Sequence, residues 1–415
     1  MSTDAARYDV VIAGGGMVGA SLALALSRYS EGRLSVLLVE SFPLPSADSA
    51  PVYRPSFDAR STALSYGSRQ ILDSVGAWDA LQAHLTAITR IHVSDRGHIG
   101  SALLTAQEQG WDALGYVVEN AWLGNVLLSA LHSAPGVECA SPASVTSVTG
   151  HNDLASLQLQ YREGETQTIE CRLLAVADGA QSGLRSALGI AGKVVDYGQQ
   201  AVIANVCFEK PHGGIAYERF TDQGPLALLP LSNSERNEAR AALVWTLSQE
   251  DATALLAASD EAFLARLQKR FGYRQGRLLR GGERGCFPLQ LVEAEEQVRP
   301  NTVVMGNAAH SLHPVAGQGF NLALRDVARL ARLLAALPEA ELGKLSHLQA
   351  YLDKQHSDQR STVEFSHQLP GLFAHKSPFF SLGRNLGLLA LDVLPAAKAR
   401  FVEQAAGLAP GNARG

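Results

Sequence analysis

One glycine-rich run has the spacing of a nucleotide site, and two further runs of glycine, acidic and amide residues could face a ligand. The first is Gly14-Gly15-Gly16-Met17-Val18-Gly19, a G-x-G-x-x-G run, with Glu40 about 20 residues beyond it. In such a run Gly14 makes a tight turn after a strand. Gly16 lets the backbone approach a pyrophosphate, and Gly19 lets a helix pack closely on the sheet. The helix that follows presents unpaired N–H groups and a partial positive charge to a phosphate. Glu40 can accept both hydroxyls of a ribose, and its charge disfavours a 2′-phosphate there. The second run spans residues 173–185 and places Asp178, Gly179, Ser182 and Arg185 after an apolar stretch. The third is Gly306-Asn307-Ala308-Ala309-His310-Ser311-Leu312-His313-Pro314-Val315-Ala316-Gly317-Gln318-Gly319-Phe320-Asn321. Its glycines let backbone amides come close to a ligand, and the helix opening near Phe320 points its N-terminus at whatever binds there.

The elements needed to position these runs can be read from the hydrophobic pattern. Residues 8–13 form a short apolar run, as a strand buried on both faces does, and residues 20–28 form an Ala/Leu-rich helix. A second apolar strand, 34–39, ends at Glu40 and completes a βαβ unit. Without that context the glycines could serve only as a turn. With both strands, the helix and the acid in place, the run predicts a dinucleotide site. Residues 41–56 form a Pro/Ser/Ala-rich loop, 88–104 alternate as strands, and 121–134 form a helix. Residues 143–177 are a β-meander ending in an apolar strand, 200–248 are strand-rich, and 251–272 are helical. Residues 302–305 make a further buried strand, 320–337 a helix stopped by Pro338, and the chain from 345 onward is mainly helical. The predicted fold is therefore mixed α/β. A Rossmann-like dinucleotide domain (1–82, 108–181 and 291–344) is interrupted by a β-sheet substrate domain (83–107 and 182–290) and followed by a helical region, 345–415.

Composition narrows the function. The chain has 415 residues, 46% hydrophobic and 18% charged, with a formal net charge of −5. It lacks the clustered basic face of a nucleic-acid binder. Cys139, Cys171, Cys207 and Cys286 form no C-x-x-C pair, so neither a zinc site nor a redox dithiol is signalled. The N-terminal residues lack the charged-then-apolar pattern of a signal peptide, and no apolar run is long enough to span a bilayer. A cytoplasmic protein is expected, with peripheral contact at the inner face of the cell membrane left open. Oligomeric state is not set by the sequence.

With its strand–Asp178-Gly179-x-x-Ser182-x-x-Arg185 run and its Gly306 run, the chain resembles the class A FAD-dependent aromatic hydroxylases of the p-hydroxybenzoate hydroxylase fold. The match extends over nearly the whole chain. It implies non-covalent FAD, held by Gly14, Gly16, Gly19, Glu40, Arg60, Asp178, Gly306, Asn307, Gly317, Gln318, Gly319, Phe320 and Asn321. Arg60 would lie near the flavin phosphates, and Asp178 would bridge the flavin and nicotinamide regions. Only one dinucleotide fingerprint is present, so the resemblance implies NAD(P)H as a transient reductant, with O2 as co-substrate and a flavin C4a-hydroperoxide as oxidant. Asn307 departs from the G-D-A-A-H pattern common in the family, yet an amide can still hydrogen-bond a ribityl hydroxyl. The segments 91–98, 201–206, 217–220 and 224–227 resemble the branch acting in bacterial ubiquinone biosynthesis. The implied substrate is a polyprenylated phenol, 2-polyprenyl-6-methoxyphenol, converted to its benzoquinol. A sister hydroxylase acting at another ring position is the nearest alternative, and a non-enzymatic prenyl-lipid carrier on the same fold is a second. Other proteins of the pathway are implied as partners.

His313 and Pro314 are the candidate catalytic residues, His313 as an acid/base group and Pro314 through its backbone carbonyl. His310 and His313 could equally be structural hydrogen-bonding residues. Arg325-Asp326 reads either as a functional pair or as a capping or solvated ion pair. Arg96 reads either as a substrate contact or as a hairpin residue. The apolar stretch from Leu369 to Leu391, punctuated by Lys376 and Arg384 and followed by Lys398 and Arg400, reads as packed helix or as a surface for a prenyl tail, lipid or partner.

Overall fold

A computed structural model describes residues 5–45, 51–54, 56–96, 101–151, 153–162, 164–311, 318–374, 398–399, 402–403 and 406–408. The first apolar run becomes the strand Ala6–Ala13, with Val10, Val11 and Ile12 fully buried. It pairs in parallel with Thr166–Val176 on one side and Val36–Val39 on the other. Thr302–Val304 and Val137–Ala140 extend the parallel run at its two flanks. An antiparallel meander, Ala143–His151 and Leu154–Tyr161, grows from the first half of Thr166–Val176. The helix Met17–Tyr29 buries its alanines and leucines against this sheet, and the amphipathic helix Gln318–Ala336 packs against that helix. This is the predicted Rossmann-like layer, and it is discontinuous in sequence.

The interruption is a second sheet. In spatial order its strands are His310–Ser311, Gly285–Ala294, Gly192–Phe208, Ala239–Ser248, Gly224–Leu231, Ile215–Thr221, Arg90–Asp95 and Ser101–Thr105, with Leu278–Gly281 branching from Gly192–Phe208. Strand alternation gives it two faces. One carries Val202, Val206, Leu226, Leu243 and Trp245 against Phe263, Leu267 and Phe271 of the helix Asp260–Phe271. The other places Ala216, Leu231 and Ala242 against Ile88 and Val117. The last two belong to a small sheet of Ser61–Ser65, Gly115–Glu119 and Leu85–Ile88, which joins the two layers.

The sequence pattern did not show this small sheet, because its strands are short and come from three distant segments. It also missed the helix Tyr66–Ser74. Leu85–Ile88 pairs with Gly115–Glu119, not with the large sheet, and Gly285–Ala294 runs through residue 290 as one hydrogen-bonded strand of the large sheet. Ladder pairing holds a strand together across a point where composition does not change.

Candidate dinucleotide site

The three glycine-bearing runs meet at one edge of the parallel sheet. Gly14 has φ +108°, and a Cβ there would lie 2.5 Å from the Ala177 carbonyl oxygen and 3.0 Å from Asp178 Cα. The first turn is thus seated against the second run. A Cβ on Gly19 would come within 1.9 Å of the Gly14 carbonyl oxygen, so only glycine permits this approach of helix to turn. Gly16 differs. It is the exposed N-cap of Met17–Tyr29 at φ −63° and ψ 179°, and a Cβ on it would meet nothing within 4 Å. The first intrahelical bond runs from Ala20 N to Gly16 O. The N–H groups of Met17, Val18 and Gly19 therefore precede the helical ladder, and the space beside Gly16 is open. Open space next to free helix N–H donors fits the pyrophosphate of a dinucleotide.

Glu40 braces this turn. Its Oε2 accepts from Gly15 N at 2.6 Å, and its Oε1 from Phe42 N at 2.9 Å and Ser41 Oγ at 3.1 Å. A carboxylate offers about four acceptor positions, and three are engaged within the chain. At the end of Thr166–Val176, exposed Asp178 accepts from Leu184 N at 3.1 Å and Ser182 caps Arg185 N at 2.9 Å. The buried Arg185 donates from Nη1 to the Ala308 carbonyl at 2.7 Å, tying the second run to the third. Gly306, at φ +57°, is packed so that a Cβ would lie 3.0 Å from Val18 Cγ2, tying the third run to the first. Within residues 306–310 only Asn307 is exposed.

Further expected site residues are held by the surrounding fold. Buried Asn321 donates to Ala63 O at 2.9 Å and accepts from Ser65 N at 2.8 Å and Ser68 Oγ at 2.6 Å. Its amide locks the helix Gln318–Ala336 onto the small sheet. Gln318 is buried, and Gly319 and Phe320 are half-buried at the start of that helix. Arg60 holds its guanidinium 4.5 Å from the Phe287 ring centroid, on the large sheet. Arg96 pairs with Asp222 at 3.3 Å, a turn contact at the end of its strand. Arg325 and Asp326 are not partners. Arg325 makes a two-pronged pair with Asp358 at 2.8 and 3.1 Å, while Asp326 holds His310 Nε2 at 2.9 Å and accepts from Gln355 and Gln359. Burial and the nearby Asp326 charge keep the Tyr351 hydroxyl well above its ordinary value. His313, Pro314 and Gly317 lie outside the described residues, as does the apolar stretch beyond Ala374.

Several polar residues that position the site gave no signal in the sequence. Arg240 and Glu119 form a buried ion pair at 2.6 Å, and Arg240 Nη1 also donates to Ser56 O at 2.8 Å. Asn205 Nδ2 donates to Phe57 O at 2.7 Å and Ala59 O at 2.8 Å. Together they pin the backbone leading into Arg60 against the large sheet. The partners lie far apart in sequence, so no local spacing reveals them.

A parallel dinucleotide fold, interrupted by a second sheet and carrying two further ligand-facing turns at the edge that holds the glycine-rich helix, is the architecture of FAD-dependent monooxygenases. The chain belongs to the FAD binding domain family, whose model matches residues 7–366, and it is an FAD-dependent oxygenase. Ubiquinone hydroxylase UbiL of Rhodospirillum rubrum is 34% identical over 401 residues, covering 96% of this chain and 89% of its own. The 3-demethoxyubiquinol 3-hydroxylase of Escherichia coli is 32% identical over 403 residues, covering 96% of this chain and 98% of its own. In fold, the chain is similar to p-nitrophenol 4-monooxygenase PnpA from Pseudomonas putida DLL-E4. The TM-score is 0.74 at 18% identity, over 97% of this chain and 99% of that one.

Proposed function

We propose that this oxygenase hydroxylates the ring of a polyprenylated phenol in ubiquinone biosynthesis, with 2-polyprenyl-6-methoxyphenol as substrate and NAD(P)H as transient reductant. The observation that carries this reading is the end-to-end match to two hydroxylases whose names place them on ubiquinone or its precursor. A second reading, attack at another ring position, is favoured by the name of the Escherichia coli relative, which specifies position 3.

In this reading Gly14, Gly16 and Gly19 shape the pyrophosphate cradle, Glu40 takes a ribose hydroxyl, and Asn307 takes a ribityl hydroxyl. Gly306, Asp178, Gly317, Gln318, Gly319 and Phe320 line the flavin end. FAD, once reduced, supplies the chemistry that activates O2. The chain's own residues hold the ring, exclude water and keep the two layers in register. Asn205 and the Glu119–Arg240 pair do the last of these. The membrane-resident substrate requires the enzyme to reach a bilayer or a partner protein. Among the described residues no helix is long and apolar enough to cross a membrane, so peripheral contact is proposed, with the stretch from Leu369 to Leu391 as the tail-facing segment.

The test is turnover of short-tailed 2-prenyl-6-methoxyphenol and of a short-tailed demethoxyubiquinol with NADPH or NADH under 18O2. One labelled oxygen should enter the ring of one of them, and NMR of the product gives the position. Reduction of bound FAD without oxygen transfer to either phenol would overturn the reading.

A further inference from the structure

The face of the large sheet that meets the small sheet is only partly covered. On the strand Ile215–Thr221, Ala216 is buried against Ile88 and Val117. Strand alternation puts Glu218 on the same face, one step beyond that cover. In register with Glu218 lie Val93 on one neighbouring strand and Ala227 on the other, and the row continues through Val244 to Ile203. Every member of this row is half-buried, whereas the residues beside them on the opposite face, such as Leu226, Leu228, Leu243, Trp245 and Val202, are fully buried. The row thus keeps accessible surface beyond the cover of the small sheet, as one wall of an open cleft does. The row is apolar except for one carboxyl group.

That carboxyl group has no evident structural duty. Glu218 makes no hydrogen bond or ion pair among the described residues, unlike Glu119, Glu209 and Glu238, each of which holds an arginine. Burial alone pushes it up to about 7. An unpaired acid in an apolar cleft carries a standing desolvation cost and is explained if a ligand donor meets it there. The other charged groups on this face are Asp95, beyond Val93 and in register with Phe220, the Arg240–Glu119 pair at the far end, and Arg280, in register with Cys207 and paired with Glu238. Arg60 stands over Phe287, on the neighbouring strand Gly285–Ala294. The helix Leu345–Ala374, which contains Glu364 and His367, packs against the strands of Glu218 and Ala227.

We propose that Glu218 is the catalytic residue that accepts the hydroxyl proton of the phenolic substrate, whose ring lies along Val93, Ala227, Val244 and Ile203. This rests on the ring-hydroxylase reading given above. The phenol O–H bond breaks, its proton passes to a Glu218 oxygen, and the electron pair stays on the substrate oxygen, which raises the nucleophilicity of the ortho and para ring carbons. After one atom of O2 has entered the ring and the other has left as water, with NAD(P)H supplying two electrons, the ring carbon loses its hydrogen to solvent. Glu218 then returns its proton to the substrate oxygen, so the carboxylate is regenerated.

The test compares wild type with Glu218→Gln, using purified FAD-loaded enzyme, NADPH, O2 and two short-tailed phenols. One phenol has an ordinary hydroxyl and the other is ring-fluorinated, so that it is already ionised at the assay pH. Wild type should lose kcat/KM as pH falls through about 7, where the carboxylate takes up a proton. Glu218→Gln should lose roughly 100-fold or more in product formation on the ordinary phenol. It should also lose that limb of the pH profile and regain most of its rate on the ionised phenol. Its FAD content should be unchanged and its thermal midpoint equal or higher, because a neutral amide is easier to bury. A Gln variant with wild-type rate and pH profile, or one equally slow on both phenols, would overturn the proposal. Failure of wild type to hydroxylate either phenol would instead overturn the reading beneath it.

Discussion

Replacing Gly16 by valine separates a residue that binds a ligand from one that builds the fold. Its backbone, at φ −63° and ψ 179°, suits any amino acid, and the added Cβ would meet no protein atom within 4 Å. The folded chain should lose only about 1 kcal/mol, the difference between a glycine and an aliphatic N-cap. The ligand fares differently. The donors before the first helical bond are the N–H groups of Met17, Val18 and Gly19. If the valine displaces the pyrophosphate from two of them, at about 1.5–3 kcal/mol for each bond to a charged group, the loss is about 3–6 kcal/mol. That corresponds to roughly a 100- to 10,000-fold weaker Kd for FAD. Gly19→Ala is the contrasting variant, because its Cβ would sit 1.9 Å from the Gly14 carbonyl oxygen and the turn itself must move. The assay is flavin absorbance of the purified protein and FAD titration of the apoprotein, beside far-UV circular dichroism and thermal unfolding. Gly16→Val should be folded and colourless, and Gly19→Ala destabilised. A Gly16→Val protein that retains FAD at wild-type affinity would refute the placement of the phosphate.

Two further variants test the supports of the site. Asn307 is the exposed residue of its turn, so Asn307→Asp should keep FAD, whereas Asn307→Leu should weaken it by about 1–3 kcal/mol through an unpaired ribityl hydroxyl; isothermal titration would show equal affinities if Asn307 faces elsewhere. Arg240→Met leaves Glu119 buried without its partner at 2.6 Å and should cost about 3–5 kcal/mol in denaturant unfolding. The double variant with Glu119→Leu should recover much of that loss, and a double variant no more stable than Arg240→Met would count against the pair.

Local chemistry made the dinucleotide half legible. A glycine that must adopt φ +108°, another that must let a helix approach its own turn, and strands apolar enough to be buried on both faces are all written within one βαβ unit. Sequence alone therefore determined the nucleotide fold and its interruption by a second sheet. It could not settle the roles of residues whose partners are distant. His310 found its acid at Asp326 through helix packing, Asn321 was recruited by the strand that ends at Ser65, and Arg325 parted from its sequence neighbour. Glu218 reads in sequence as an ordinary strand residue between a tyrosine and an arginine. Only the pairing of its strand, and the distance to which the small sheet covers that face, left its carboxyl without a partner among the described residues. Backbone conformation is set by a residue and its near neighbours, whereas desolvation depends on everything that folds around a group, so tertiary structure decided which polar side chains are structural and which are left for a ligand.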